Sequence, residues 1–207
     1  MEDVELEDIE LKEAALALAK HIHDSKFDGI IVSGGSSSVS KTLLFVAWKE
    51  LYPDEKIPKT ITVSSEGNSI FYKRGEPNEK IARQAVVTEW INENLPEMWE
   101  LKDKKVCLVD ELAVSGEKAT KLSEIFKGIG FEQLEVVLFA ASRNAELDEH
   151  IFIASKNPEL LSKLWTATSR IQGQPHIDDS ELPEGSEKEI RRRGIEDLRG
   201  MVGEIRK

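Results

Sequence analysis

The stretch from Val106 to Ile129 restricts the fold of this chain more than any other. Val106, Cys107, Leu108 and Val109 form an apolar run that meets two acids, Asp110 and Glu111. A loop, Leu112 to Lys118, then leads into apolar residues three and four apart: Ala119, Leu122, Ile125, Phe126 and Ile129. A short bounded apolar run reads as a buried strand of a parallel sheet, and the three-and-four spacing reads as an amphipathic helix. Carboxylates at the end of such a strand stand where open α/β sheets bind ligands. The helix N-terminus that follows offers unpaired backbone N–H groups to a phosphate. Carboxylates for sugar hydroxyls or a cation, beside a cradle for a phosphate, suit a sugar phosphate.

The same alternation runs along most of the chain and predicts an open, mostly parallel, doubly wound sheet flanked by helices. A helix is expected near 7–24, with Leu11, Ala15, Leu18 and Ile22 on one face, then a strand at 28–33. A helix near 38–51 is apolar almost all round, and Thr60 to Val63 forms a second strand. Asn78 to Leu95 is a helix that aligns Ala82, Val86 and Trp90, and further strands fall at 105–110, 134–141 and 150–154. Asn157-Pro158 opens a helix to about Ile171, with proline at its tolerated first position. A Gly/Pro/Asp-rich link at 172–185 precedes a charged helix opened by Ser186-Glu187-Lys188-Glu189, a capping-box pattern. The expected organisation is therefore one α/β domain over 1–180 and an appended C-terminal helix over 181–207.

The strand, acid pair and small-residue loop from Val106 to Thr120 resemble the ribose-phosphate motif of the type I phosphoribosyltransferases. Upstream, Phe27-Asp28-Gly29-Ile30-Ile31-Val32-Ser33-Gly34-Gly35 is similar to that family's first strand and pyrophosphate loop, and the shared order extends from roughly Leu16 to Ala141. The resemblance implies transfer of ribosyl 5-phosphate from phosphoribosyl pyrophosphate to a nitrogenous base, with pyrophosphate released and Mg²⁺ as cofactor. It implies that Asp110 and Glu111 hold the ribose hydroxyls and the metal. Ser33, Gly34, Gly35 and Ser36 would receive the pyrophosphate, and Ala113, Val114, Ser115, Gly116, Glu117 and Lys118 the 5-phosphate. The family also carries a loop that closes over the site. Its counterpart here is Ser64 to Pro77, a run of about 14 residues without periodicity, which usually marks function or disorder. Tyr72, Lys73 and Arg74 are its candidates for contacting the departing pyrophosphate. Glu111, Val114 and Lys118 stand where the family more often has an aspartate, a hydroxyl or acid, and a threonine. Members acting on 6-oxopurines usually have an aspartate at the position of Val114, which disfavours that subclass.

Two other readings compete. A regulator that binds phosphoribosyl pyrophosphate without turning it over accommodates Val114 and Lys118. A nucleotide hydrolase is suggested by Gly35 to Thr42, GSSSVSKT, which departs from a P-loop in having Ser40 at the second glycine. In that reading Lys41 touches β- and γ-phosphates; in the first it is one screened charge worth about 1 kcal/mol or less.

Composition excludes several classes. A net charge of −11 argues against broad nucleic-acid binding, and no apolar run approaches the roughly 20 residues of a membrane span. The acidic start, Met1-Glu2-Asp3-Val4-Glu5, does not resemble a signal peptide, and the single cysteine leaves no disulfide framework. A cytoplasmic protein acting on small molecules is expected, with a homodimer left open. His21 and His23 face different sides of a helix and make a poor metal pair, while Trp165 has the spacing of a core residue. Arg191-Arg192-Arg193 reads as a solvated face, and no Gly-x-Ser-x-Gly elbow occurs.

Overall fold

The runs Gly29–Val32 and Val106 to Val109 are buried residue by residue, with no polar alternation, as strands covered on both faces must be. The structure, a computed structural model, describes residues 2–33, 37–64, 67, 70, 80–113, 117–141, 151–157 and 160. In chain order the elements are α1 (Glu2–Asp24), β1 (Gly29–Val32), α2 (Ser37–Leu51), β2 (Lys59–Thr62) and α3 (Lys80–Asn94). A 3₁₀ helix (Pro96–Leu101), β3 (Val106–Ala113), α4 (Glu117–Gly128), β4 (Leu134–Ala141) and β5 (Ile151–Ser155) follow. All five strands are parallel, in the order β2-β1-β3-β4-β5.

Chain order therefore runs one way from β1 to β2 and the other way from β3 to β5. Crossovers between parallel strands are right-handed, so the reversal sends the helices before it and those after it to opposite faces of the sheet. On one face α1 and α2 set Leu18, Ile22, Leu43, Leu44 and Trp48 against Ile30, Val32, Cys107, Val109 and Val137. On the other, α3 and α4 set Val87, Ile91, Leu122 and Phe126 against Ile31, Leu108, Val136 and Leu138. Each such side chain contributes about 1.5–3 kcal/mol when withdrawn from water. Cys107 lies in this interior with Sγ 3.9 Å from the Gly29 carbonyl oxygen. Burial, aided by the charge of Glu135, drives its thiol pKa far above the usual range, so it is no nucleophile.

Differences from the sequence reading have local causes. α1 begins at Glu2 rather than near residue 7. The face α3 buries is Val87, Trp90 and Ile91, with Val86 half exposed, because residues three and four apart share a helix face better than a strict four-residue row. The 3₁₀ helix at Pro96–Leu101 was not foreseen; its proline occupies the first turn, and Met98 and Leu101 are fully buried. β3 continues through Ala113 rather than stopping at Asp110, because β4 supplies ladder partners as far as Ala141. The helix expected from Pro158, apart from Leu160, and the appended helix at 181–207 lie outside the described residues.

α4 ends in a Schellman cap. The Phe131 N–H donates to the Phe126 carbonyl at 3.0 Å and the Gly130 N–H to the Lys127 carbonyl at 3.0 Å. Gly130 has φ of 106°, and the Phe126 and Phe131 rings meet edge to face at 5.5 Å. A Cβ at Gly130 would meet only the flexible end of Lys102, so its cost lies in the backbone conformation. Gly130→Ala should lower stability by about 1–2 kcal/mol, read as a shifted urea midpoint with unchanged slope.

The two histidines of α1 diverge as expected. His21 stacks on Phe152 at 3.7 Å, and its Nε2 lies 2.6 Å from Glu135 Oε1. His23 stacks on Tyr52 at 3.8 Å, with Nδ1 3.1 Å from Asp24 Oδ1 and Nε2 3.1 Å from Glu55 Oε2. Only the imidazolium can donate to both carboxylates. The hydrogen bond with Asp24 raises the His23 pKa most; partial burial opposes it, and Glu55 adds a bond and charge. A raised folded-state pKa stabilises the fold below the unfolded value of about 6.5 and loses that stabilisation as pH rises through the folded value. The melting temperature should therefore fall as pH rises above about 6.5, with a shallower fall in His23→Gln.

Candidate functional site

The order reversal opens a fork between β1 and β3, the topological switch point at which open α/β sheets take ligands. Register fixes where the fork begins. Val32 pairs with Val109, and the Ser33 N–H donates to the Val109 carbonyl at 2.9 Å. Beyond that rung β1 has ended, while β3 runs on beside β4 to Ala113. The next residues in step are Ser33 and Asp110. Both are buried polar side chains, 1% and 8% exposed. Alternation along each strand places them on the face of Ile31 and Leu108, which α3 and α4 cover. Withholding polar groups from water costs free energy unless they are partnered, and both have partners within the protein.

Of the residues expected from sequence, Glu111 and Ala113 lie in β3 directly after Asp110. Glu117 and Lys118 open α4, so the connection from β3 to α4 spans only residues 114–116. The N-terminus of α4 thus stands close along the chain to the acid-bearing strand. Ser33 is at the fork, but its amide is taken by Val109, so an anion in the first loop would be met by other groups. Gly34, Gly35, Ser36, Tyr72, Lys73, Arg74, Val114, Ser115 and Gly116 lie outside the described residues.

One contact was not anticipated. Lys41 Nζ donates to Thr62 Oγ1 at 3.1 Å, tying α2 to the last residue of β2. Sequence reading singled out Lys41 through its likeness to a P-loop lysine, whereas Thr62 carried no signal; only the fold brings β2 beside β1.

Ser64, Gly67 and Ile70 are the described residues of the stretch expected to be an aperiodic loop. Gly67 and Ile70 are helical, Gly67 is buried, and its N–H lies 3.2 Å from Ser64 Oγ. Gly67 is pressed so close to the indole of Trp90 that a Cβ would fall 2.4 Å from it, and 2.8 Å from Val63 Cγ1.

No protein-family model and no curated protein matches the chain. Among solved structures, a purine phosphoribosyltransferase from Pyrococcus horikoshii Ot3 is similar over 71% of this chain and 88% of its own, at 16% identity and a TM-score of 0.39. A likeness at that level says nothing about chemistry, which rests on the fork and its residues.

Magnesium takes hard oxygen ligands, and at phosphate sites it commonly uses one or two carboxylates, with substrate phosphates and water completing the shell. Among the described residues no group of three or more His, Cys, Asp or Glu side chains converges to form a closed metal cage. The buried carboxylate of Asp110, with Glu111 next in the strand, fits that sparser mode. Among the described residues no helix is long and apolar enough to cross a membrane.

Because the indole is rigid, Gly67→Ala forces Trp90 or the segment to shift. A loss of about 1–3 kcal/mol in thermal or urea unfolding is the expected result.

Proposed function

We propose that the chain is a phosphoribosyltransferase: it binds phosphoribosyl pyrophosphate with Mg²⁺ at the fork and transfers ribosyl 5-phosphate to a nitrogenous base, releasing pyrophosphate. The observation that carries this reading is the buried pair Ser33 and Asp110, set in step where β1 and β3 part. A buried acid at the switch point, on a strand that leads within three residues into a helix N-terminus, suits a ligand with hydroxyls at one position and a phosphate a few ångströms on.

The layout offers a second anion-favouring pole. α2 and α4 both begin at the carboxyl edge of the sheet, one on each face, and helix N-termini favour negative charge. A ligand phosphorylated at both ends can span that edge, whereas one with a single phosphate uses half of it.

In this reaction positive charge grows on the ribose ring as the bond to pyrophosphate lengthens. Asp110 and Glu111 hold the 2′- and 3′-hydroxyls, fixing the ring so that the base nitrogen attacks in line, and their charge favours the developing cation. The loop at 114–116 and the first N–H groups of α4 hold the 5-phosphate. Mg²⁺, when bound, neutralises the departing diphosphate. A base added to the fork before pyrophosphate leaves also keeps water from competing for the ribose.

Binding without turnover is the second reading, favoured by Val114 and Lys118 at positions where the family usually has other residues. Pyrophosphate release with a panel of bases separates the two: release with any base establishes transfer, and tight binding without release indicates a sensor. For the site itself, Asp110→Asn combined with Glu111→Gln should weaken phosphoribosyl pyrophosphate binding at least about a hundredfold in calorimetric titration with Mg²⁺, about 2.7 kcal/mol. The variant should keep the wild-type fold, read as an unchanged far-ultraviolet circular dichroism spectrum. Unchanged affinity would sink the assignment.

A further inference from the structure

Lys41 has no part in the transfer proposed above, yet its ammonium is held by two neighbours. It stands in the second turn of α2, donates to Thr62 Oγ1 at 3.1 Å, and lies 5.7 Å above the Phe45 ring. Thr62 is the register partner of Val32, the last residue of β1. The charge is thereby brought to the carboxyl edge of the sheet, one strand away from the fork.

Neither contact is with an acid. Lys12 and Lys59 pair with Glu50 and Glu100, but no carboxylate pairs with Lys41 among the described residues. This is in a chain with 39 acidic and 28 basic residues, where an acid is the easiest partner to find. An ammonium has three N–H donors, so the bond to Thr62 leaves two to spend. The aromatic face and the hydroxyl fix its position without neutralising it.

Lys41 and Thr62 belong to the face covered by α1 and α2. Thr62 alternates with Ile61, which faces the α3 and α4 side. Asp110 is on the α3 and α4 side. A ligand lying across the sheet edge therefore meets the Asp110 carboxylate on one side and, on the other, an ammonium with no carboxylate partner among the described residues. A compact point charge with free donors suits rotating phosphoryl oxygens better than a flat carboxylate, for which an arginine fork is matched.

We infer that Lys41, held in place by Thr62, recognises the diphosphate of the ligand at the fork and makes that end selective for a diphosphate over a monophosphate. The inference rests on the ribose-phosphate reading of the site. From sequence alone Lys41 counts as one screened surface charge. Its half-burial and fixed position raise the expected effect to about tenfold in affinity, about 1.4 kcal/mol.

The test is calorimetric titration, with Mg²⁺, of two separate probes, inorganic pyrophosphate and ribose 5-phosphate, into the full chain. Lys41→Gln should weaken pyrophosphate about tenfold or more, and ribose 5-phosphate by a much smaller factor; Lys41→Arg should recover most of the loss. Thr62→Val, which keeps the shape and removes the hydroxyl, should weaken pyrophosphate about threefold through misplacement of the ammonium. A merely structural tie between α2 and β2 would weaken both probes alike. Equal losses, or pyrophosphate affinity within about twofold of wild type in Lys41→Gln, overturn the inference and leave the site reading standing. A wild-type protein that binds neither probe overturns both. Should Lys41→Gln fail to fold, the pyrophosphate-to-ribose-5-phosphate ratio in Thr62→Val decides alone: an unchanged ratio overturns the inference.

Discussion

The parallel pairing of β1 with β3 is the constraint from which the rest of the architecture follows. It joins segments 77 residues apart along the chain, Gly29 with Val106 and Val32 with Val109, and displaces β2 to the outside. Once β1 is flanked by β2 on one side and β3 on the other, right-handed crossovers leave no choice about which face each helix covers. The two apolar clusters, the positions of the α2 and α4 N-termini and the gap at the carboxyl edge are consequences of that one adjacency.

The pairing also decides where polarity is tolerated. Along β1 and β3 each position up to Val32 and Val109 is apolar and fully buried, and the first polar residues occur one step beyond the last shared rung. A carboxylate placed one rung lower would be sealed between two helical layers and would cost several kcal/mol. At the fork the same residue is still nearly buried, yet faces a place from which β1 has withdrawn. Stability is supplied by the strands below the fork and chemistry is confined to the residues above it, the division expected when local rules are broken only at a site.

The fold was largely legible because period and punctuation agreed. Apolar runs at Ile30–Val32, Val106–Val109 and Val136–Ala141 mark buried strands, and the three-and-four spacing of Ala119, Leu122, Ile125 and Phe126 marks the helix that follows β3. Strand and helix limits were less legible where tertiary partners set them: β3 reaches Ala113 because β4 is there to pair with it. Asp110 could be singled out from its place after an apolar run. Its alignment with Ser33 could not, since register between distant strands leaves no trace in either segment. The role of Thr62 was hidden for a related reason, because an edge-strand threonine looks like any other until a neighbouring helix delivers a lysine to it.

Cys107 gives the molecule a property unrelated to any ligand. Its sulfur is buried in the middle strand of the sheet, on the face that α1 and α2 cover, and burial disfavours its thiolate, so the native chain should react slowly with alkylating reagents. Reaching that sulfur requires α1 and α2 to lift from the sheet, which opens one of its two cores rather than fraying an edge. The single thiol therefore acts as an internal clock: its rate of labelling in water counts openings of the core beneath α1 and α2, and a ligand that binds only the folded chain would slow it.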